Sequence, residues 1–174
     1  MSKAHKKVIL RRFAGDPLCG YLPAGAFVRT DATSPLLDLL DPSGRVVPIS
    51  LADIKMISYV RDFNLQDSIN PERLLRRSFL ARPRNEGLWL RMTFRGGDLL
   101  EGIAPIDLSL LSNIIEDLGL HLIPPDTRSN TQRIFVPGSA LSDLQLIAII
   151  TTPSRRKPLP DPDRTSLQDT LFPT

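Results

Sequence analysis

The hexapeptide Gly15-Asp16-Pro17-Leu18-Cys19-Gly20 recurs as Gly97-Asp98-Leu99-Leu100-Glu101-Gly102, so a G-D-x-L-x-G motif stands twice in the chain. An apolar run suited to a strand precedes each copy: Val8-Ile9-Leu10-Arg11-Arg12-Phe13 and Leu88-Trp89-Leu90-Arg91-Met92-Thr93-Phe94. A late apolar segment follows each: Val46-Val47-Pro48-Ile49 with Ile54 and Ile57, and Ile134-Phe135-Val136 with Leu141 and Leu144. The same elements in the same order mean one supersecondary unit of roughly 60 residues made twice, which narrows the fold more than any composition figure does.

Within each unit the signals are for strands. Gly-Asp turns that need positive φ separate short apolar runs, as in hairpins. Asp41-Pro42-Ser43-Gly44 is a strong turn, so residues 36–40 pair with 46–49 as a second hairpin. Residues 55–60 and 145–150 are the closing strands. Five short strands with little helix predict a small closed barrel, and Gly20 and Gly102 allow its strands to bend. Between the units, Asn70 can cap a helix that Pro71 and Glu72 begin, that runs to Arg82, and that Pro83 ends. Residues 109–118 form a second, weaker helical candidate, an insertion in the second unit.

The expected organisation is a flexible basic arm at 1–7, a first barrel at 8–63, a basic helical linker at 64–87, and a second barrel at 88–150 with an insertion near 104–117. A tail at 151–174 completes it. The tail has five prolines in 24 residues and no periodicity, and is expected to be disordered. Leu167, Leu171 and Phe172 near its end form either a frayed terminus or a short docking motif.

The G-x-x-L-x-G motif after an apolar strand, with Val47-Pro48 ahead of Ile54 and Ile57, resembles Sm-like domains, the Hfq type especially. The segments Tyr59-Val60-Arg61-Asp62-Phe63 and 126–137 further resemble a bacterial family of tandem Sm-like units with no established activity. The resemblance implies a mainly β fold of two tandem Sm-like, SH3-like small barrels. It does not carry RNA binding with it. Sm-like RNA binders resemble one another by an Asp and an apolar-Asn pair after the second Gly, whereas the first unit reads Tyr21-Leu22-Pro23-Ala24-Gly25-Ala26-Phe27 there. The second unit has Asp107 at altered spacing, and neither has the Lys-His pair of Hfq.

The charge distribution points the same way. Of 22 Lys and Arg against 19 Asp and Glu, residues 1–12 hold five bases and no acid, and 64–87 hold five Arg against three acids. By contrast, 13–63 has four bases against six acids, and 88–150 four against seven. The folded bodies are acidic, and only the arm and linker could meet phosphates. Lys6, Lys7, Arg76, Arg77, Arg82 and Arg84 are therefore the nucleic-acid candidates.

No catalytic constellation is visible. One cysteine, Cys19, excludes an internal disulfide and a cysteine-built zinc site. Of two histidines, His5 is in the arm and His121 is read as an outward-facing strand residue. Asp16 and Asp98 are read as turn residues rather than paired carboxylates. No cofactor, metal or phosphate loop is implied. The richest candidate is the turn holding Asp126, Arg128, Asn130 and Arg133. Two readings stay open for it: Asp126 and Asn130 bonding their own backbone with Arg133 paired locally, or all four contacting a ligand or partner. Arg61 and Asp62 read similarly, as an intramolecular pair at the barrel exit or an interface. No apolar run is long enough for a membrane span or a signal-peptide core, so the expected location is cytoplasmic. The chain reads as a non-enzymatic interaction or assembly module that binds itself or another protein. Binding of RNA or single-stranded nucleic acid through the arm and linker is the alternative.

Overall fold

β1 (His5–Arg12) and β2 (Leu18–Pro23) form a hairpin around Gly15, which turns the chain with a φ of 91°. β7 (Gly87–Phe94) and β8 (Leu99–Ala104) do the same around Gly97, at 84°, a region closed to most side chains. The structure is a computed structural model that describes residues 5–23, 27–30, 34–63, 76–126 and 130–151. Over these the chain is mainly β. The other strands of the first half are β3 (Val28–Thr30), β4 (Pro35–Leu40), β5 (Val46–Ser50) and β6 (Ile54–Val60). Those of the second are β9 (Gly119–Leu122), β10 (Thr131–Pro137) and β11 (Leu141–Ile150), with one helix, α1 (Ser109–Glu116), between β8 and β9.

The strand pairing of the first half is repeated in the second. Val8 faces Gly20 and Leu90 faces Gly102; Leu10 faces Leu18 and Met92 faces Leu100. On its other edge β1 pairs with β6, Leu10 facing Ile57, and β7 pairs with β11, Met92 facing Leu144. Both pairings contain an irregularity at the same place, where Arg12 meets Ile54 and Phe94 meets Leu141. β4 pairs with β5 as β9 pairs with β10, and one 3-10 turn (Leu51–Asp53 or Gly138–Ala140) leads on into β6 or β11. The turn at 41–44 is as expected: the Gly44 N–H donates to the Asp41 carbonyl at 3.0 Å, and Ser43 Oγ and the Arg45 N–H donate to Asp41 Oδ1. Those donors hold the Asp41 carboxyl below its ordinary pKa. At Gly20 a side chain would lie 2.6 Å from the Leu40 carbonyl oxygen, so glycine is required by close approach of β4.

The sheets do not divide at the linker. The larger has eight strands and is curled: its path is β3-β4-β2-β1-β6-β10-β9, with β5 added on β4. The smaller is β11-β7-β8, tied back to the larger by a bridge between Ile103 and Ile123. β10 of the second half thus lies against β6 of the first, with Phe135 facing Ile57 and Ile134 facing Ser58. Alternate β10 side chains enter different cores. Phe135 packs among Val8, Leu10, Leu22, Ile57 and Tyr59, whereas Ile134 and Val136 pack with Leu90, Met92, Leu100 and Leu122.

The expected linker helix is corrected where it can be seen. Its beginning, including Asn70, Pro71 and Glu72, lies outside the described residues, and 76–82 carry no helix. This stretch lies along β8 instead. The Glu101 N–H donates to the Arg77 carbonyl at 2.6 Å, and the Phe79 N–H donates to Glu101 Oε2 at 2.9 Å. Backbone donors and acceptors satisfied by an adjacent strand edge have no need of a helix. The expected tail, 151–174, lies outside the described residues except for Thr151.

Candidate functional site

β11 is a ten-residue strand that, among the described residues, is hydrogen-bonded on one edge only, to β7. Its side chains show what that leaves open. Leu144 is 47 % exposed where its counterpart on β6, Ile57, is fully buried; Leu146 is 55 % exposed where Tyr59 is 9 %. Ile147 and Ile149 are exposed as well. The strand has one charge, Asp143, and no lysine or proline. Folded monomers ordinarily guard a strand edge with such residues, because open N–H and C=O groups beside apolar side chains template pairing with another chain.

Helix α1 extends this apolar surface. None of its residues is buried, and Leu111, Ile114 and Ile115 are exposed. Asp107 starts it by accepting the Ser109 N–H at 2.9 Å, and its carboxyl is held below the ordinary range by the Ser109 hydroxyl and N–H. Leu118, past its end, adopts a φ of 54°, a left-handed conformation that costs a leucine about 1 kcal/mol. The Leu118 carbonyl accepts the Gly138 N–H at 3.0 Å, which holds the turn. Between α1 and the start of β11 runs an open groove of about 510 Å³ lined by Ile114, Leu118, Leu120, Leu141 and Leu144. Exposed apolar surface of this kind, continuous with an open strand edge, fits a protein partner. Among the described residues β5 pairs only with β4, and it exposes Val46 and Val47.

The polar turn of the second half is fastened to the end of β6. Asn130 Oδ1 accepts the Asp62 N–H at 3.0 Å, Asn130 Nδ2 donates to the Asp62 carbonyl at 2.7 Å, and the Arg61 N–H donates to the Asn130 carbonyl at 3.2 Å. Asn130 therefore bonds backbone, though that of the first half and not its own. Arg128 lies outside the described residues, Asp126 is half-buried, and Arg133 is exposed on β10. Asp62 pairs with Lys7 at 3.1 Å, in place of the expected Arg61 pairing. Of the other cationic candidates, Arg77 pairs with Asp98 at 2.9 Å, and Lys6, Arg76, Arg82 and Arg84 are exposed. Asp98 is more than a turn residue. Hydrogen bonds from Lys55 and Arg77 hold its carboxyl below the ordinary range.

His121 corrects a second expectation. It is buried, because β9 is covered on both faces: Leu120 and Leu122 enter the second core, and His121 faces Phe135, Phe27 and Tyr59, with ring centroids 5.0, 5.9 and 5.9 Å away. Its Nε2 lies 3.2 Å from Asp117 Oδ2, and its Nδ1 has no hydrogen-bond partner among the described residues. Burial lowers the imidazole pKa, which Asp117 raises in part. Burial also raises the pKa of Tyr59 and of the Cys19 thiol, which works against thiolate formation at Cys19. Glu101, which stands in the second motif where Cys19 stands in the first, is buried. It accepts Arg91 through Oε1 at 2.7 and 3.0 Å, and the Trp89 indole and Phe79 N–H through Oε2. Among the described residues, no group of three or more His, Cys, Asp or Glu could hold a metal, and no helix is long and apolar enough to cross a membrane.

The open β11 edge was the feature most easily missed, since its residues look like an ordinary buried strand. The comparisons bear on lineage alone. Residues 4–148 match the model of DUF6982, a family of unknown function, and the chain belongs to that family. No curated protein and no solved structure matches it.

Proposed function

We propose that this member of the DUF6982 family is a non-enzymatic assembly module, built from two copies of one Sm-like strand unit, whose working surface is the open edge of β11 with the adjoining face of α1. The repeated pairing registers and the two separate cores support the two-unit reading. The observation that carries the function is β11 itself: ten residues, an edge unpaired among the described residues, and exposed Leu144, Leu146, Ile147 and Ile149. Leaving that much apolar side chain exposed forgoes about 25 cal/mol for each Å² a partner would cover. Asn130 is assigned to internal fastening rather than to a ligand, because it spends its amide on Asp62. We infer a cytoplasmic setting and a protein partner.

The test is amide hydrogen exchange over 141–150 in the complex recovered from its native cells, compared with the dilute purified chain. Slower exchange in the complex is expected. Equal, fast exchange in both would sink the reading. Nucleic-acid binding is the alternative, resting on exposed Lys6, Arg76, Arg82 and Arg84. It requires a raised 260/280 nm absorbance ratio at purification and affinity that falls steeply with salt.

A further inference from the structure

We infer that the fork where β9 leaves β10 for β8 is a binding site for a small monocarboxylate with an apolar body, held by Arg133. The site is separate from the β11 edge and does not depend on it.

The first half serves as a control, because the same strands meet there without a fork. Tyr21 of β2 faces Leu40, Leu40 in turn faces Val46, and the ladder from β4 to β5 is unbroken from Leu36 to Leu40. Beyond it the Asp41 N–H donates to the Arg45 carbonyl at 2.8 Å and closes the hairpin. In the second half Ile103 faces Ile123 as Tyr21 faces Leu40, with backbone bonds of 3.0 and 2.9 Å in both directions. The ladder from β9 to β10, however, stops at Leu122 and Ile134, and among the described residues Ile123 does not pair with Arg133. Pro124 stands where Asp41 stands and has no N–H with which to close the hairpin. Arg133 stands where Val46 stands. At the junction of the two halves β10 continues along β6, Arg133 facing Tyr59, so β9 and β10 part.

Between the parted strands lies a cavity of about 330 Å³, at the lower end of the range for ligand sites, which suits a small molecule. One wall is apolar, made by Ile103, Pro105, Leu122 and Ile123; the other is Gln132, Arg133 and His121. The His121 side chain is only 6 % exposed, its Nε2 is spent on Asp117, and its Nδ1 has no partner among the described residues. A buried polar atom so left points to a polar neighbour that the protein itself does not provide. Arg133 supplies the charge. It forms no ion pair among the described residues, and its field reaches the imidazole, where it disfavours a second cation. A guanidinium holds a carboxylate through two parallel N–H donors. One cation, with the Glu86 carboxylate also on the rim, suits a single negative charge rather than a phosphate dianion.

The probes are 4-methylpentanoate and phenylacetate, their uncharged amides, and inorganic phosphate, titrated into the full-length chain labelled on its Ile and Leu methyl groups. Both carboxylates should shift the methyl signals of Ile103, Leu122 and Ile123, with a Kd in the millimolar range or tighter, as expected of ligands this small. Arg133→Gln, at an exposed position, should keep the wild-type circular dichroism and weaken binding at least about tenfold. Arg45→Gln, which removes the same charge from the first half, should leave affinity unchanged. Each amide should bind at least about tenfold more weakly than its acid, a comparison that needs no variant. The inference is overturned if neither carboxylate shifts these methyls at roughly 10 mM, or if the shifts centre on Ile114 and Leu144 in the groove beside α1. Amides that bind as tightly as the acids also overturn it, as does phosphate binding as tightly as either carboxylate, which would mark an unspecific surface charge.

Discussion

Replacing Phe135 by alanine should loosen the half of the protein to which Phe135 does not belong by sequence. The ring is fully buried among Val8, Leu10, Ile57 and Tyr59, edge-on to Phe27 at a centroid distance of 5.0 Å. Removing a buried phenyl costs about 3–5 kcal/mol, so a loss near the middle of that range is expected. With a urea dependence of about 2 kcal/mol per M, a loss of about 4 kcal/mol lowers the denaturation midpoint by about 2 M. The informative readout is local. Hydrogen exchange should quicken in β1 and β6, whereas Ile134→Ala, one residue away and on the other face, should quicken β7 and β8 first, at a cost of about 2–5 kcal/mol. The reasoning fails if both variants loosen the same strands, or if Phe135→Ala leaves the amides of β1 and β6 as slow as in wild type.

Three further outcomes follow from named groups. Asn130→Ala removes both side-chain bonds to the Asp62 backbone and should cost about 1–2 kcal/mol in the urea midpoint, with faster exchange at Asp62; an unchanged midpoint would show that the clamp is idle. Glu101 is pushed up by burial but held net below its ordinary pKa by the Phe79 N–H, Arg91 and Trp89. Its contribution is therefore present above the unfolded carboxylate pKa and lost as pH falls through the lower folded value. Glu101→Gln should flatten that acid limb in the pH dependence of the urea midpoint, and an unchanged limb would count against the assignment. His121, with its pKa lowered by burial, stays neutral in the fold while the unfolded chain takes up a proton below about pH 6.5. Stability should therefore fall as pH drops from that value toward the folded pKa, and His121→Phe should remove this part of the dependence; an identical slope in the variant would refute the assignment.

The local grammar of the chain was readable. Both G-D-x-L-x-G motifs turn where the glycines require, the 41–44 turn joins the strands expected, and residues 109–116 form the insertion helix. The junction was not readable from these signals, because they are all short-range. Nothing local says that β10 will leave its own half's sheet to lie on β6, or that residues 77–79 will follow β8 and not coil into a helix. His121 was misread for the same reason. Strand alternation gives a side chain's face, and for a strand with one covered face it also gives its exposure. Once β9 and β10 are covered twice, outward from one core means inward to the other.

That distinction has a sequence signature, and it applies to β11 with force. A strand covered on one face alternates apolar and polar residues, and one covered on both reads as a continuous apolar run. Ile134-Phe135-Val136 is such a run, and all three residues are fully buried between the two cores. Leu144-Gln145-Leu146-Ile147-Ala148-Ile149-Ile150 is a longer one, broken by a single glutamine, yet Leu144, Leu146, Ile147 and Ile149 face solvent. Among the described residues only β7 pairs with this strand. The amino-acid pattern of β11 is that of a strand with two neighbours, and among the described residues it has one.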